Sequence, residues 1–366
     1  MKILLLGDPH FKKNNLDIMK NVCDEILAII DETKPDMVIA LGDTLDTHER
    51  IYLRALVQAT KFFLEISKRC PLINIIGNHD RENNSDFQSD IHPFIGLKDH
   101  NNITIIDKAV WQEDKNFIYV PYVPDGKFLK ALETVKYDIS GNKQPLLIFC
   151  HQLFTGANMG NVVSNKGDNW NTSLPSIFSG HIHKYQQIPG VIYVGTMFQQ
   201  NYGEDTDKAV MFLHIDEDDN GNILTKGDDI KRPKMIVQRV PLTSAPTRIT
   251  IKLDMNDLYT FHQKIPSNVD GKNLIRVIFS VDATEVKSLK ITPQYKALEH
   301  MVDKLEIKTI GNKASVAEQI VSNLKQTGSI QHKMIYSLEE IVTAMLKDDS
   351  NTLEIFTNEI LKGTNE

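Results

Sequence analysis

Nine residues of this 366-residue chain have side chains whose types and spacing could do chemistry together: Asp8, His10, Asp43, Asn78, His79, Asp80, His151, His181 and His183. Seven of them, Asp8, His10, Asp43, Asn78, His151, His181 and His183, make a set of two carboxylates, one amide and four imidazoles. A mixture of hard oxygen and borderline nitrogen ligands suits manganese, iron or zinc, whereas oxygen-only sets suit magnesium or calcium. Seven ligands are too many for one ion with an open position, but enough for two if one carboxylate bridges. Two ions about 3.5–4 Å apart clamp the attacking and leaving oxygens of an in-line displacement at phosphorus.

The spacing fits that chemistry. Asp8 and His10 lie two apart on one extended segment, as do His181 and His183, so each pair can point two side chains the same way. Glycines 7, 42, 77 and 180 admit the tight turns and close backbone approach that such loops need. Taken singly, an Asp after a strand is more often a cap or turn former, and a lone His is more often an ordinary hydrogen-bonded residue. His214, His262, His300 and His332 stand in no motif and keep that plain reading. The joint occurrence, each cluster at a strand end, carries the metal-site reading.

The elements that must position these groups are legible as alternating runs. Lys2–Leu6, Asp36–Leu41, Leu72–Ile76 and Leu146–Cys150 are largely apolar, the pattern of strands buried on both faces. Leu16–Ile30 and Tyr52–Ser67 carry apolar residues at helical spacing. The alternation predicts an α/β layered fold, with the polar clusters at the carboxyl ends of the strands, where ligands gather. Gly180-His181-Ile182-His183 follows a strand at Ile177–Ser179, and Thr155–Trp170 reads as a long functional loop. Val191–Val194 and Val210–Ile215 read as strands, Asp216–Asp229 as a hairpin excursion around Asn220-Gly221-Asn222, and Pro241–Pro246 as a linker.

Beyond the linker a small α+β domain is expected: a strand at Thr247–Leu253, a helix at Asp257–Lys264, a strand at Leu274–Val281, a charged helix around Glu285–Asp303 and a further strand. From Lys313 the chain reads as helical, with amphipathic stretches at Ala314–Lys325, Leu338–Leu346 and Leu353–Leu361. The expected domains are therefore 1–240, 247–310 and a helical tail at 311–366.

With 41 Lys+Arg against 48 Asp+Glu, the formal net charge is -7, which speaks against coating nucleic acid through overall charge. The distribution says more: residues 231–310 hold 14 basic against 8 acidic residues, whereas 201–230 hold 2 against 9. Lys231-Arg232-Pro233-Lys234 and the small domain are thus candidate phosphate contacts, with a solvated basic face as the plain alternative. Cys23, Cys70 and Cys150 form no CxxC pair, so neither a disulfide framework nor a thiolate zinc site is expected, and a reducing compartment is favoured. No apolar stretch approaches the ~20 residues of a bilayer span, so a soluble, cytoplasmic protein without a membrane partner is expected, in a host cytoplasm if phage-encoded.

The series Asp8-x-His10, Gly42-Asp43-x-x-Asp46, Gly77-Asn78-His79-Asp80, His151 and Gly180-His181-Ile182-His183 is similar to the calcineurin-like metallophosphoesterase signature, over about the first two hundred residues. That resemblance implies a layered β-sandwich flanked by helices. It implies that Asp8, His10, Asp43 and His183 hold one ion and Asp43, Asn78, His151 and His181 the other, both most readily Mn2+. It makes His79 the general acid or charge stabiliser at the leaving oxygen, oriented by Asp80.

Val120-Pro121-Tyr122, His151-Gln152-x-x-x-Gly156-Ala157, Tyr193-Val194-Gly195-Thr196 and Asn201-Tyr202-Gly203-Glu204 with Lys208 resemble one branch, the nuclease subunit SbcD and its repair counterparts. The branch implies a DNA exonuclease/endonuclease acting with an SbcC-type SMC-like ATPase in recombination and repair, with a homodimer as an option; Leu338–Leu361, apolar at helical spacing, reads either as a helix docking on a partner coiled coil or as one packing back on its own domain. The alternatives are a stand-alone phosphodiesterase or phosphatase on small nucleotides or phosphoproteins, and a recombination scaffold for the ATPase. The segment after Asp43 departs from the branch, which carries a bulkier aromatic two places on. His48 reads as a surface residue opening the following helix, with an added role in the site as the alternative.

Overall fold

The computed structural model describes residues 1–48, 50–137, 144–160, 162–226, 232–266 and 273–310. The expected helical tail and its docking role lie outside the described residues, as do Glu49 and Lys231. The chain divides into a unit of Met1–Val281 with Val286–Lys308, and a second of Asp282–Glu285 with Thr309–Glu366. Of the second, the described part is a 3-10 turn at Ala283–Glu285 and two strand-end pieces.

In chain order the elements are β1 (Lys2–Leu6), α1 (Leu16–Thr33), β2 (Met37–Ala40), α2 (Leu53–Ser67), β3 (Leu72–Ile75), β4 (Ile103–Ile106), β5 (Val110–Gln112), β6 (Phe117–Val120), α3 (Phe128–Thr134), β7 (Leu147–Cys150) and β8 (Ser176–Ser179). There follow β9 (Gln186–Ile188), β10 (Val191–Tyr193), β11 (Ala209–Ile215), β12 (Met235–Pro241), β13 (Thr247–Leu253), β14 (Asn273–Asp282), α4 (Val286–Lys290), α5 (Pro293–Met301) and β15 (Lys304–Ile310). Two six-stranded mixed sheets run β12-β11-β1-β2-β3-β4 and β5-β6-β7-β8-β10-β9, and β13-β14-β15 form a third. This is the expected α/β class, helices flanking layered sheets.

The layers follow from alternation along strands that are apolar on both faces. In β1, Ile3 and Leu5 point into the core between the two large sheets, while Leu4 and Leu6 point to the outer core under α1 and α2. In β7, Leu147 and Phe149 enter the same inter-sheet core, and Ile148 and Cys150 face the opposite side with Phe128, Phe154 and Tyr193. Phe149 is the hinge of that core: its ring meets Phe117, Tyr119 and Phe178 at centroid distances of 5.5, 5.6 and 6.0 Å. Both sheets thus bury one face against each other and release their strand ends at a common edge.

Three sequence expectations need correction. β12 was not foreseen, yet it pairs antiparallel with β11 from Met235 opposite Ile215 to Pro241 opposite Ala209, so the acidic hairpin lies between two paired strands. The expected helix at Asp257–Lys264 is two short 3-10 turns, Met255–Asp257 and Phe261–Gln263, the first closed by a reciprocal Asp254–Asp257 capping box. The expected helix at Glu285–Asp303 is broken into α4 and α5 by Pro293, which holds Thr292 extended (ψ 142°) and lets its hydroxyl accept from the Tyr295 N–H. The linker is docked: the Thr243 and Ser244 N–H groups donate to the Glu25 carboxylate. Phe149→Ala should cost about 3–5 kcal/mol of stability in urea unfolding, since the void opens in the core between the two sheets.

Candidate metal centre

The two sheets deliver the chemically active residues to one edge. Asp8 and His10 follow β1, Asp43 follows β2, and Asn78, His79 and Asp80 follow β3, all from the first sheet. The second sheet supplies His151 after β7, and His181 and His183 after β8. Asp8, His10 and His183 offer ligand atoms within 4.8 Å of one another, and so do Asp43, His151 and His181. Asp43 lies against both groups: its Oδ2 is 3.8 Å from His10 Nε2 and its Oδ1 is 3.3 Å from His151 Nε2.

Hydrogen bonds fix which ring nitrogens face inward. His151 Nδ1 donates to the Leu41 carbonyl at 2.7 Å, which can only accept, so Nε2 is the nitrogen turned inward, 3.0 Å from Asn78 Oδ1. The same amide oxygen is 2.9 Å from His181 Nδ1. His183 Nδ1 donates to Glu204 at 2.9 Å, leaving Nε2 aimed at His10 Nε2, 3.0 Å away. Asp8 Oδ1 accepts from the His181 N–H, while Asp8 Oδ2 is buried without a hydrogen-bond partner among the described residues and His10 Nδ1 has only the Asp46 carboxylate 3.4 Å away.

Lone pairs therefore converge from several sides on two small volumes, an arrangement that calls for positive charge. Burial opposes charging His151, yet the carboxylates of Asp43 and Asp8 push its imidazole up to about 9, so a cation ligated there displaces the Nε2 proton. Burial also opposes ionisation of Asp43, but His151, with His10 and His79, holds that carboxyl well below the usual range. Burial dominates at Asp8 and raises it, and lowers His10 and His181 to about 3, so these two imidazoles are neutral and free to ligate. Orphaned carboxylate oxygen, neutral imidazoles and an amide oxygen fit divalent cations of the manganese, iron or zinc type.

The backbone is strained to make this possible. His10 (φ 49°), Asp43 (φ 49°) and His181 (φ 78°) sit in the left-handed region, which costs each of them about 1–3 kcal/mol and clusters at functional sites. Gly42 (φ 101°) precedes Asp43, and a Cβ there would lie 2.5 Å from His151 Nδ1. At Gly77 a Cβ would lie 2.2 Å from the Asp43 N–H nitrogen.

The remaining residues are placed as follows. His79 keeps its Nε2 at the centre, 4.0 Å from Asp43 Oδ2, and its backbone N–H donates to Asp43 Oδ1 at 2.8 Å. Its ring is held by Nδ1 donating to the Asp46 carbonyl at 2.8 Å, not by Asp80 as expected. The Asp80 carboxylate is instead occupied by the N–H groups of Thr44, Leu45 and Gly77, so it braces the Asp43 loop against the Asn78 loop. His48 is no mere surface residue: its ring stacks on His79 at 4.7 Å, and the helix after it begins only at Leu53. Glu204 was read as part of a motif without a role, because only the fold brings it to His183.

The family model for calcineurin-like phosphoesterases matches residues 1–185. The chain belongs to the calcineurin-like phosphoesterase family. It is 37% identical over 254 residues to protein 244L of Invertebrate iridescent virus 6, covering 68% of this chain and 88% of that protein. It is 31% identical over 264 residues to protein 078R of Invertebrate iridescent virus 3, covering 65% and 76% respectively. Each relative is named as a candidate phosphoesterase. In this phosphoesterase, no helix among the described residues is long and apolar enough to cross a membrane.

Two outcomes follow from the packing. Gly77→Ala should abolish metal uptake in metal analysis after dialysis, because the new methyl group displaces the Asp43 carboxylate, which faces both ligand groups. Asp80→Asn should destabilise the protein by about 1–3 kcal/mol in urea unfolding, as an NH2 group then faces backbone donors.

Proposed function

We propose that the chain is a stand-alone phosphoesterase hydrolysing phosphate diesters at a dinuclear centre. Asp8, His10, Asp43 and His183 hold one ion in this reading, and Asp43, Asn78, His151 and His181 the other, with manganese the preferred metal. The observation that carries it is the position of Asp43, whose two oxygens face imidazoles of opposite groups. When bound, such ions polarise the phosphoryl oxygens and lower the pKa of water.

The chain's own residues supply the rest. His151 is oriented by the bond from its Nδ1–H to the Leu41 carbonyl, and Asn78 Oδ1 stands 3.0 Å from its Nε2, so both ligand atoms are presented together without reorganisation. His79, one-third exposed, stands at the rim with Nδ1 tied to Asp46; protonated at Nε2, it can pass that proton to the departing alkoxide. Asp80 acts at a distance from the reacting atoms, through the backbone amides it gathers.

A second reading, a DNA nuclease subunit working with an SbcC-type ATPase, has one observation in its favour. A cleft of about 310 Å³ beside Asp46 is lined by Lys12, Lys13, Arg50 and Tyr52, a combination suited to a phosphodiester strand. In this reading the basic small sheet adds phosphate contacts. A purely scaffolding role has the assembled ligand set against it.

The test is hydrolysis of bis(p-nitrophenyl) phosphate, linear duplex DNA and circular single-stranded DNA, with manganese and with chelator. Chelator should abolish all hydrolysis, and His79→Ala should lower kcat about 10²–10⁴-fold while both ions stay bound. Cleavage of the small ester alone supports the first reading. Cleavage of DNA, rising with a candidate ATPase, supports the second.

A further inference from the structure

His183 is less enclosed than His10 and His151. Its side chain is 34% exposed, whereas those of His10 and His151 are 2% and 0% exposed. Packing alone therefore does not hold its ring, and something else must aim Nε2 at the cluster. We infer that Glu204 is a positioning residue of the proposed metal centre, and that Lys208 completes it by gripping both Glu204 and the backbone of His183. The inference rests on the preceding assignment of Asp8, His10 and His183 to one ion.

Each atom of this clamp is accounted for. A carboxylate can only accept, so the 2.9 Å contact from Glu204 Oε1 puts the His183 proton on Nδ1 and leaves Nε2 as the ligand atom. Glu204 Oε2 accepts from Lys208 Nζ and from the Gln200 N–H, both at 3.0 Å, so the carboxylate does not rotate away. Lys208 is buried, and its three donors are all used: on Glu204, on the His183 carbonyl at 3.0 Å and on Thr196 Oγ1 at 2.8 Å. One ammonium thus binds the main chain of the ligand and the carboxylate that orients its ring. Burial opposes ionisation of Glu204, but His183 and Lys208 bring its carboxyl down to about 2, in keeping with the geometry.

The clamp is itself anchored. The Glu204 carbonyl accepts from Gln199 Nε2 at 2.9 Å, while Gln199 Oε1 accepts from the Arg248 N–H at 2.7 Å and the Gln199 carbonyl from Arg248 Nε at 2.9 Å. The loop carrying Glu204 is therefore pinned at the start of β13. Partners of this kind, behind a ligating histidine, typically matter 10–100-fold in metal affinity.

The test is manganese titration of the full-length wild type, Glu204→Ala, Glu204→Gln and Lys208→Met, followed by calorimetry and electron paramagnetic resonance, with the His183 tautomer read from long-range 15N–1H spectra of the metal-free protein. The wild type should take up two ions. Glu204→Ala should weaken one of them about 10–100-fold, leave the other within about twofold, and shift His183 from the Nδ1–H form to a mixture of tautomers. Glu204→Gln, which keeps an acceptor for Nδ1–H, should show a smaller loss and reports on the role if the alanine variant does not fold. A merely structural part would lower the melting temperature of the metal-free protein without moving the tautomer or separating the two affinities. Failure of the wild type to bind two ions overturns the metal centre and this inference with it. Two ions bound by wild type and variants alike, or an unmoved tautomer, overturns the role of Glu204 alone.

Discussion

A carboxylate buried between two groups of imidazoles is the constraint on which this molecule turns. Asp43 lies buried at the edge where two apolar sheets meet, with His10 on one side and His151 on the other. Burying that anion, the partnerless oxygen of Asp8 and several aligned nitrogen lone pairs is costly unless positive charge sits among them. The fold accepts further cost to hold the arrangement: three left-handed non-glycine residues and glycine positions into which no methyl group fits. A hydrophobic sandwich of this size supplies the stability against which such strain is tolerated.

The division of labour between the sheets follows from it. Parallel strands of the first sheet end in the Asp8, Asp43 and Asn78 loops, and parallel strands of the second end in the His151 and His181 loops. Each loop brings few ligands, and neither sheet has a full set for either ion. The site therefore exists only when the inter-sheet core around Phe149 is closed, which couples folding to the assembly of the centre.

Much of this was legible before any coordinates. Strands apolar on both faces announce themselves as unbroken runs, and each run here stops at a Gly-Asp, Gly-Asn-His or His cluster, so the seven candidate ligand residues and their convergence could be read directly. What could not be read depends on long-range contacts. The carbonyl of Asp46 that holds His79 carries no side-chain signal, and the stacking of His48 on His79 needs the actual turn after Asp43. Glu204 lies 21 residues from His183, so only the pairing of strands brings them together. In the small sheet, helical periodicity misled because Pro293 and the Asp254–Asp257 turn locally outweigh it.

The central claim is that Asp43 is shared by two cations. Anomalous scattering at the manganese edge, from crystals grown with manganese, tests it most directly. The account predicts two peaks about 3.5–4 Å apart, one beside Asp8, His10 and His183, the other beside Asn78, His151 and His181, with an oxygen of Asp43 on each. A single peak, or two peaks of which only one touches Asp43, would contradict it.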